Sequence, residues 1–141
     1  MMTLVVRRTI RATPERLFDA WTRPEQLVEW WGPEGVACIA PSVDLRVGGA
    51  YRIGNRMPDG NEIWIVGAFE AIDRPHLLTY TWRLEGADGD PERVTVRFER
   101  QGTDTEVIIT HERVANAALR DQHRQGWHGC LEGLARFIVR S

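Results

Sequence analysis

Four histidines, two cysteines and one internal serine are the residues of this chain best able to do chemistry, and their spacing limits that chemistry. His123 and His128 lie five apart on what reads as one helix, roughly 140° around its axis, so they cannot share a metal ion. His76 opens a strand, His111 sits near the end of another, and no HxH or HExxH spacing occurs. The pattern predicts no metal site and no cofactor. All 18 cationic residues are arginine, which excludes lysine Schiff-base chemistry and a P-loop. Ser42 sits in A-P-S-V-D with no nucleophile elbow around it, which argues against a serine hydrolase. General acid–base work needs a titratable group that reaches a cavity. His111 is the best candidate, with Tyr80, Tyr51 or Asn55 as partners; the competing reading is a hydrogen-bonded core histidine.

The element that must position these groups is the last helix, Ala117 to about Val139. At 100° per residue, Leu119, His123, Trp127, Cys130, Leu131, Leu134, Phe137 and Ile138 share a face. Asn116 suits the N-cap. Gly126, Gly129 and Gly133 form a stripe beside that face. Each glycine costs a helix roughly 1 kcal/mol against alanine, so the stripe predicts close approach of a backbone or of a bound molecule.

Upstream, residues 3–12 read as a first strand. Thr13-Pro14 opens a short helix with Leu17, Phe18 and Trp21 on its apolar side. Pro24 opens a second, stopped by Gly32-Pro33. This helical wedge predicts a plug at one end of a sheet, with Trp30-Trp31-Gly32-Pro33 as a lid over a cavity. Six further strands follow at 36–47, 50–57, 61–72, 76–84, 92–100 and 105–113, separated by turn residues at hairpin spacing. Asp44 and Arg46 would share a strand face as an ion pair near Gly48-Gly49. The whole predicts an α+β antiparallel meander around the last helix.

Alternation puts Tyr51, Ile53, Asn55 and Met57, then Ile63, Ile65, Gly67 and Phe69, on the inward face. Leu78, Tyr80 and Trp82, then Val94, Val96 and Phe98, then Val107, Ile109 and His111 continue it. Aromatics with polar tips are unusual filling for a dry core and usual walls for a small-molecule pocket of ~300–1,000 Å³. The predicted cavity lining comprises Trp31, Tyr51, Ile53, Asn55, Met57, Ile65, Phe69, Tyr80, Trp82, Phe98 and His111 from wedge and sheet. His123, Trp127, Cys130 and Leu131 complete it from the helix. Trp64 and Val66 break the outer face, as a small cluster or a patch that pairs two chains.

At 141 residues and net charge −2, the chain reads as one domain with no polyanion-binding stripe, so nucleic acid is not an expected partner. Met1 to Val6 is too short an apolar run for a signal peptide, and no segment reaches the ~18 apolar residues that span a bilayer. Cys38 and Cys130, outside any CxxC pattern, read as buried thiols of a reducing cytoplasm.

The element order resembles the helix-grip fold of the START and pollen-allergen proteins, the SRPBCC superfamily. Within it, I-R-A-T-P-E-R-L-F-D-A-W at 10–21, W-W-G-P-E-G at 30–35 and V-D-L-R-V-G-G at 43–49 resemble one branch. L-L-T-Y-T-W at 77–82, I-T-H-E at 109–112 and R-Q-G-W-H-G-C-L-E-G-L at 124–134 do so too. That branch holds homologues of the activator of the 90-kDa heat-shock protein's ATPase. The eukaryotic activator is similar over one of its two domains, and these 141 residues are not expected to hold a counterpart of its chaperone-contacting domain. The resemblance implies an apolar small molecule, lipid-like or aromatic, held between sheet and last helix, and an organising role for Asp44 and Arg46 at the pocket mouth. Cyclases and aromatases of the superfamily make an enzyme using His111 the alternative, and a protein-interaction or chaperone-associated module stands as the third. If the Trp64 patch joins two chains, Trp64→Glu shifts dissociation to higher protein concentration. A single-chain mass at every dilution, in both proteins, counts against that third reading.

Overall fold

Seven runs rich in β-branched and aromatic residues, broken by Gly, Pro and Asp turns, pair into one antiparallel sheet in the computed structural model, which describes residues 1–141. The strands are β1 (Met2–Ile10), β2 (Ala37–Val43), β3 (Ala50–Arg56), β4 (Glu62–Asp73), β5 (Leu77–Leu84), β6 (Glu92–Gln101) and β7 (Asp104–Val114). Their order across the sheet is β1-β7-β6-β5-β4-β3-β2, so β2 to β7 form a meander and β1 lies beside β7. Helices α1 (Pro14–Thr22) and α2 (Pro24–Trp30) follow β1, and α3 (Ala117–Arg140) ends the chain. Helix α2 packs on β2, α1 on β6, and α3 on β1 and β7. This is the helix-grip arrangement, a curved sheet around a long terminal helix. No helix is long and apolar enough to cross a membrane.

Local chemistry explains the helix starts. Thr13 Oγ1 accepts from the Arg16 N–H at 3.1 Å and Asn116 Oδ1 from the Leu119 N–H at 3.0 Å. Such caps contribute about 1 kcal/mol each. Leu17, Phe18 and Trp21 turn α1's apolar side into the core, where Phe18 meets Phe98 edge-on.

The inward faces follow the alternation, except that Ile63 stays 37% exposed near the β3–β4 turn. On the outer face Trp64 lies across Gly54, and the Arg52 guanidinium sits 3.7 Å from its ring centre while pairing with Glu85. The expected strand 36–47 is shorter than the sequence predicts. Strand β2 ends at Val43, and Asp44 to Gly49 coil into a turn, with Arg46 N–H bonded to Asp44 O and Gly49 N–H to Arg46 O. Gly48 has φ +84°, and a Cβ on Gly49 would lie 2.1 Å from Asp44 O. Asp44 and Arg46 therefore pair, at 2.8 Å, within an exposed turn and not along a strand face.

The glycine stripe has two different causes. A Cβ on Gly133 would lie 2.5 Å from the Trp30 carbonyl oxygen, and one on Gly129 would lie 2.4 Å from Pro33 Cβ. Both let the end of the wedge press against α3. Gly126 has open space where its side chain would be. The two classes should respond with opposite signs. Gly133→Ala is expected to destabilise by about 1–3 kcal/mol through the overpacking it forces. Gly126→Ala should stabilise by up to about 1 kcal/mol from helix propensity. Denaturant unfolding of both variants reads the difference, and equal signs would refute the assignment.

Candidate functional site

Two compartments lie between the sheet and α3. The inner one, walled by Trp21, Tyr51, Ile53, Phe69 and Tyr80 among others, has a free volume of about 20 Å³. A buried space holds one water from ~10–15 Å³ upward, so this one has room for little more. The outer cleft, about 140 Å³, is bounded by Asn55 on β3, Gln122, His123, Gly126, Trp127 and Cys130 on α3, and the Gly32-Pro33 turn. Trp31, Ile65 and Trp82 line both and form the partition. The expected single pocket of ~300–1,000 Å³ is thus divided and mostly filled.

Tryptophans fill it. Trp21 stacks on Trp127 with centroids 6.2 Å apart, and Trp31 meets Trp127 edge-on at 5.7 Å. Their indole N–H groups are satisfied as they are buried. Trp21 donates to Tyr80 Oη at 3.3 Å, Trp30 to Ala20 O at 2.9 Å, and Trp31 to Asn55 Oδ1 at 3.0 Å. Tyr51 donates to Thr81 O at 2.6 Å. Burial pushes the Tyr51 and Tyr80 hydroxyls up, and the Cys130 thiol up to about 12, so none of the three is an anion at neutral pH.

Of the residues expected to line a cavity, Met57, Phe98, His111 and Leu131 border neither compartment. Met57 lies beyond the end of β3 in the turn to β4; Phe98 and Leu131 are sealed in the core. His111 is fully buried behind the wall, and both of its ring nitrogens are engaged. Trp127 Nε1–H donates to His111 Nδ1 at 3.0 Å, and His111 Nε2 meets Glu92 Oε1 at 2.6 Å. An indole N–H only donates and a carboxylate only accepts. His111 is therefore the neutral Nε2–H tautomer, held between the two.

The fold pairs His123 with His111 rather than with His128. Their rings stack at 4.4 Å and 12°, and His123 Nε2 lies 2.9 Å from the same Glu92 Oε1. That oxygen lies off the direction of the ring N–H, so the contact is electrostatic and the buried Nε2 has no aligned hydrogen-bond partner. The sequence pattern does not single out Glu92, although it shares its parity with Val94, Val96 and Phe98 on the inward face of β6. Glu92, His111 and His123 bring three metal-capable donor atoms within 4.8 Å of one another. A histidine ligand donates its second ring N–H to an acceptor, whereas His111 faces the Trp127 donor there. While that bond holds, the cluster does not suit a metal ion.

Burial pushes the Glu92 carboxyl up, but the contacts with His111 and His123 outweigh it and leave the group at about 2 against an ordinary 4.5. Burial holds His111 below its ordinary 6.5, with Glu92 pulling the other way. Both groups bind fewer protons folded than unfolded, so acid weakens the fold. The His111 contribution starts to fade below pH 6.5, and that of Glu92 fades from 4.5 down to about 2. Melting temperature measured from pH 7 to 3 should fall accordingly. Glu92→Gln should flatten the part of the curve below pH 4.5. An unchanged curve would remove Glu92 from this role.

Comparison with known proteins gives the same architecture. A protein of Chromobacterium violaceum superposes with a TM-score of 0.86 at 26% identity, covering 96% of each chain. An AHSA1 protein of Silicibacter pomeroyi superposes at 0.87 with 24% identity over 98% of each chain. A Nitrosomonas europaea protein does so at 0.83 with 19% identity over 99% of this chain and 95% of that one. The last two likenesses speak for the fold alone. No curated protein matches the chain. Residues 11–138 match the family of activator of Hsp90 ATPase homologue 1-like proteins, and the chain belongs to that family.

Proposed function

We propose that this protein binds a small apolar molecule, one aromatic ring in size, in the cleft between α3 and the sheet. Family and fold support a ligand-binding type of domain in general. The observation that carries the specific reading is Gly126. It is the one glycine of the stripe without a neighbour where its Cβ would be, and it borders the cleft walled by Trp31, Trp82 and Trp127.

Size supports one ligand class over the other. An apolar cavity of about 150 Å³ admits benzene, and the outer cleft offers about 140 Å³. A lipid tail needs the inner compartment as well, and that holds about 20 Å³ behind Trp31, Ile65 and Trp82. The binding proposal therefore favours the aromatic over the lipid-like ligand.

The cleft should be blocked from Gly126 and not from its neighbours. Leucine at Gly129 would displace Pro33, and removing Trp127 would strip His111 of its donor. Saturable quenching of tryptophan fluorescence by nitrobenzene is expected in the natural protein. Gly126→Leu should weaken it about tenfold, a change of about 1.4 kcal/mol, without loss of the folded state. Equal affinity in both proteins, or tighter binding of a long-chain fatty acid than of nitrobenzene, would sink the reading.

A further inference from the structure

From the Glu92, His111 and His123 cluster we infer that His123 is a proton acceptor at the wall of the cleft, and that the bound molecule is a single-ring compound with a weakly acidic hydroxyl, a phenol or a ring enol. This rests on the cleft being the ligand site. Of the two stacked histidines only His123 borders the cleft; its side chain is 14% exposed and that of His111 is 0% exposed.

The two rings are not equivalent as bases. Protonating His111 would put an N–H on Nδ1, facing the Trp127 N–H at 3.0 Å, and one buried donor would lose its acceptor. His111 stays neutral and acts as a positioning residue, steadying Glu92 through the 2.6 Å contact at Nε2. His123 has no such obstacle. Its Nε2 lies 2.9 Å from a carboxylate oxygen that would repel a lone pair there even without an aligned hydrogen bond, so that nitrogen carries the hydrogen and Nδ1 keeps the free lone pair. The ring is held from turning by His111 on one side and by Trp82, 4.9 Å away at 75°.

The step is a proton transfer and nothing more. The hydroxyl O–H bond of the ligand breaks, an N–H bond forms at His123 Nδ1, and the electron pair stays on the ligand oxygen. The products are an oxyanion and an imidazolium; no oxidant, reductant or further reactant is consumed. The imidazolium then lies 2.9 Å from Glu92 Oε1 in a partly desolvated site, where an opposite charge counts for more than it does in water. The charged and titratable groups meeting there are Glu92 from β6, His111 from β7 and His123 from α3. The next cation along β6, Arg93, pairs with Glu70 instead.

4-Nitrophenol fits the cleft as a single ring and reports its own ionisation by its visible absorption. Bound to the natural protein at a fixed pH, it should show an ionised-to-neutral ratio about tenfold above that in solution, the effect of one opposite charge close by. At saturation judged by tryptophan quenching, whatever the affinity, 4-nitrophenol bound to His123→Gln should show the ratio of free solution. Glu92→Gln, which leaves the His123 ring in place, should give an intermediate ratio and guards against misfolding of the first variant. Binding with the same ratio in all three proteins overturns the role of His123 and leaves the ligand site standing. No saturable binding to the natural protein overturns both.

Discussion

Everything inside this protein depends on how closely the terminal helix can approach the end of the helical wedge. At Gly133 the Trp30 carbonyl comes to where a side chain would begin, and at Gly129 Pro33 does the same. Each glycine weakens an isolated helix by roughly 1 kcal/mol, and the packing it permits must offset that. What it permits is the aromatic junction of Trp21, Trp31 and Trp127, which ties wedge to helix. A helix held further out would pull Trp127 away from His111 and widen the cleft.

From that approach follows a polar chain through an otherwise apolar interior. Trp127 donates to His111, and His111 meets Glu92. Buried donors and acceptors left unpaired are costly, so the chain specifies one orientation for each member. His123 stands at its end with a nitrogen near the carboxylate yet out of line with it. The same constraint that orders the core thus leaves one imidazole at the boundary between core and cleft.

The aromatic residues of the inward face carry a double message. Tyrosine and tryptophan on a concave sheet are wall material for a pocket, and here they also occupy most of it. Trp21 comes from the wedge, read in sequence as a plug, and Trp30 and Trp31 come from the expected lid. Trp31 instead forms a partition, fixed by its bond to Asn55. A fold shared with other domains of this family consequently surrounds a much smaller free volume than its wall residues suggest.

The sequence by itself determined the elements, their order and the faces they bury. Those depend on neighbours two to four residues apart, and the alternation of β3 to β7, the caps at Thr13 and Asn116 and the stripe on α3 all have that range. The turn at Asp44 to Gly49 lay at the edge of it, where two glycines compete with a strand pattern. The tertiary structure decided what meets across distance: His111 with His123, Glu92 with both, Pro33 with Gly129. It also decided which glycine faces backbone and which faces space. Such pairings, and the volume left between them, depend on how whole elements dock. A shift of one side chain changes them while every local pattern stays the same.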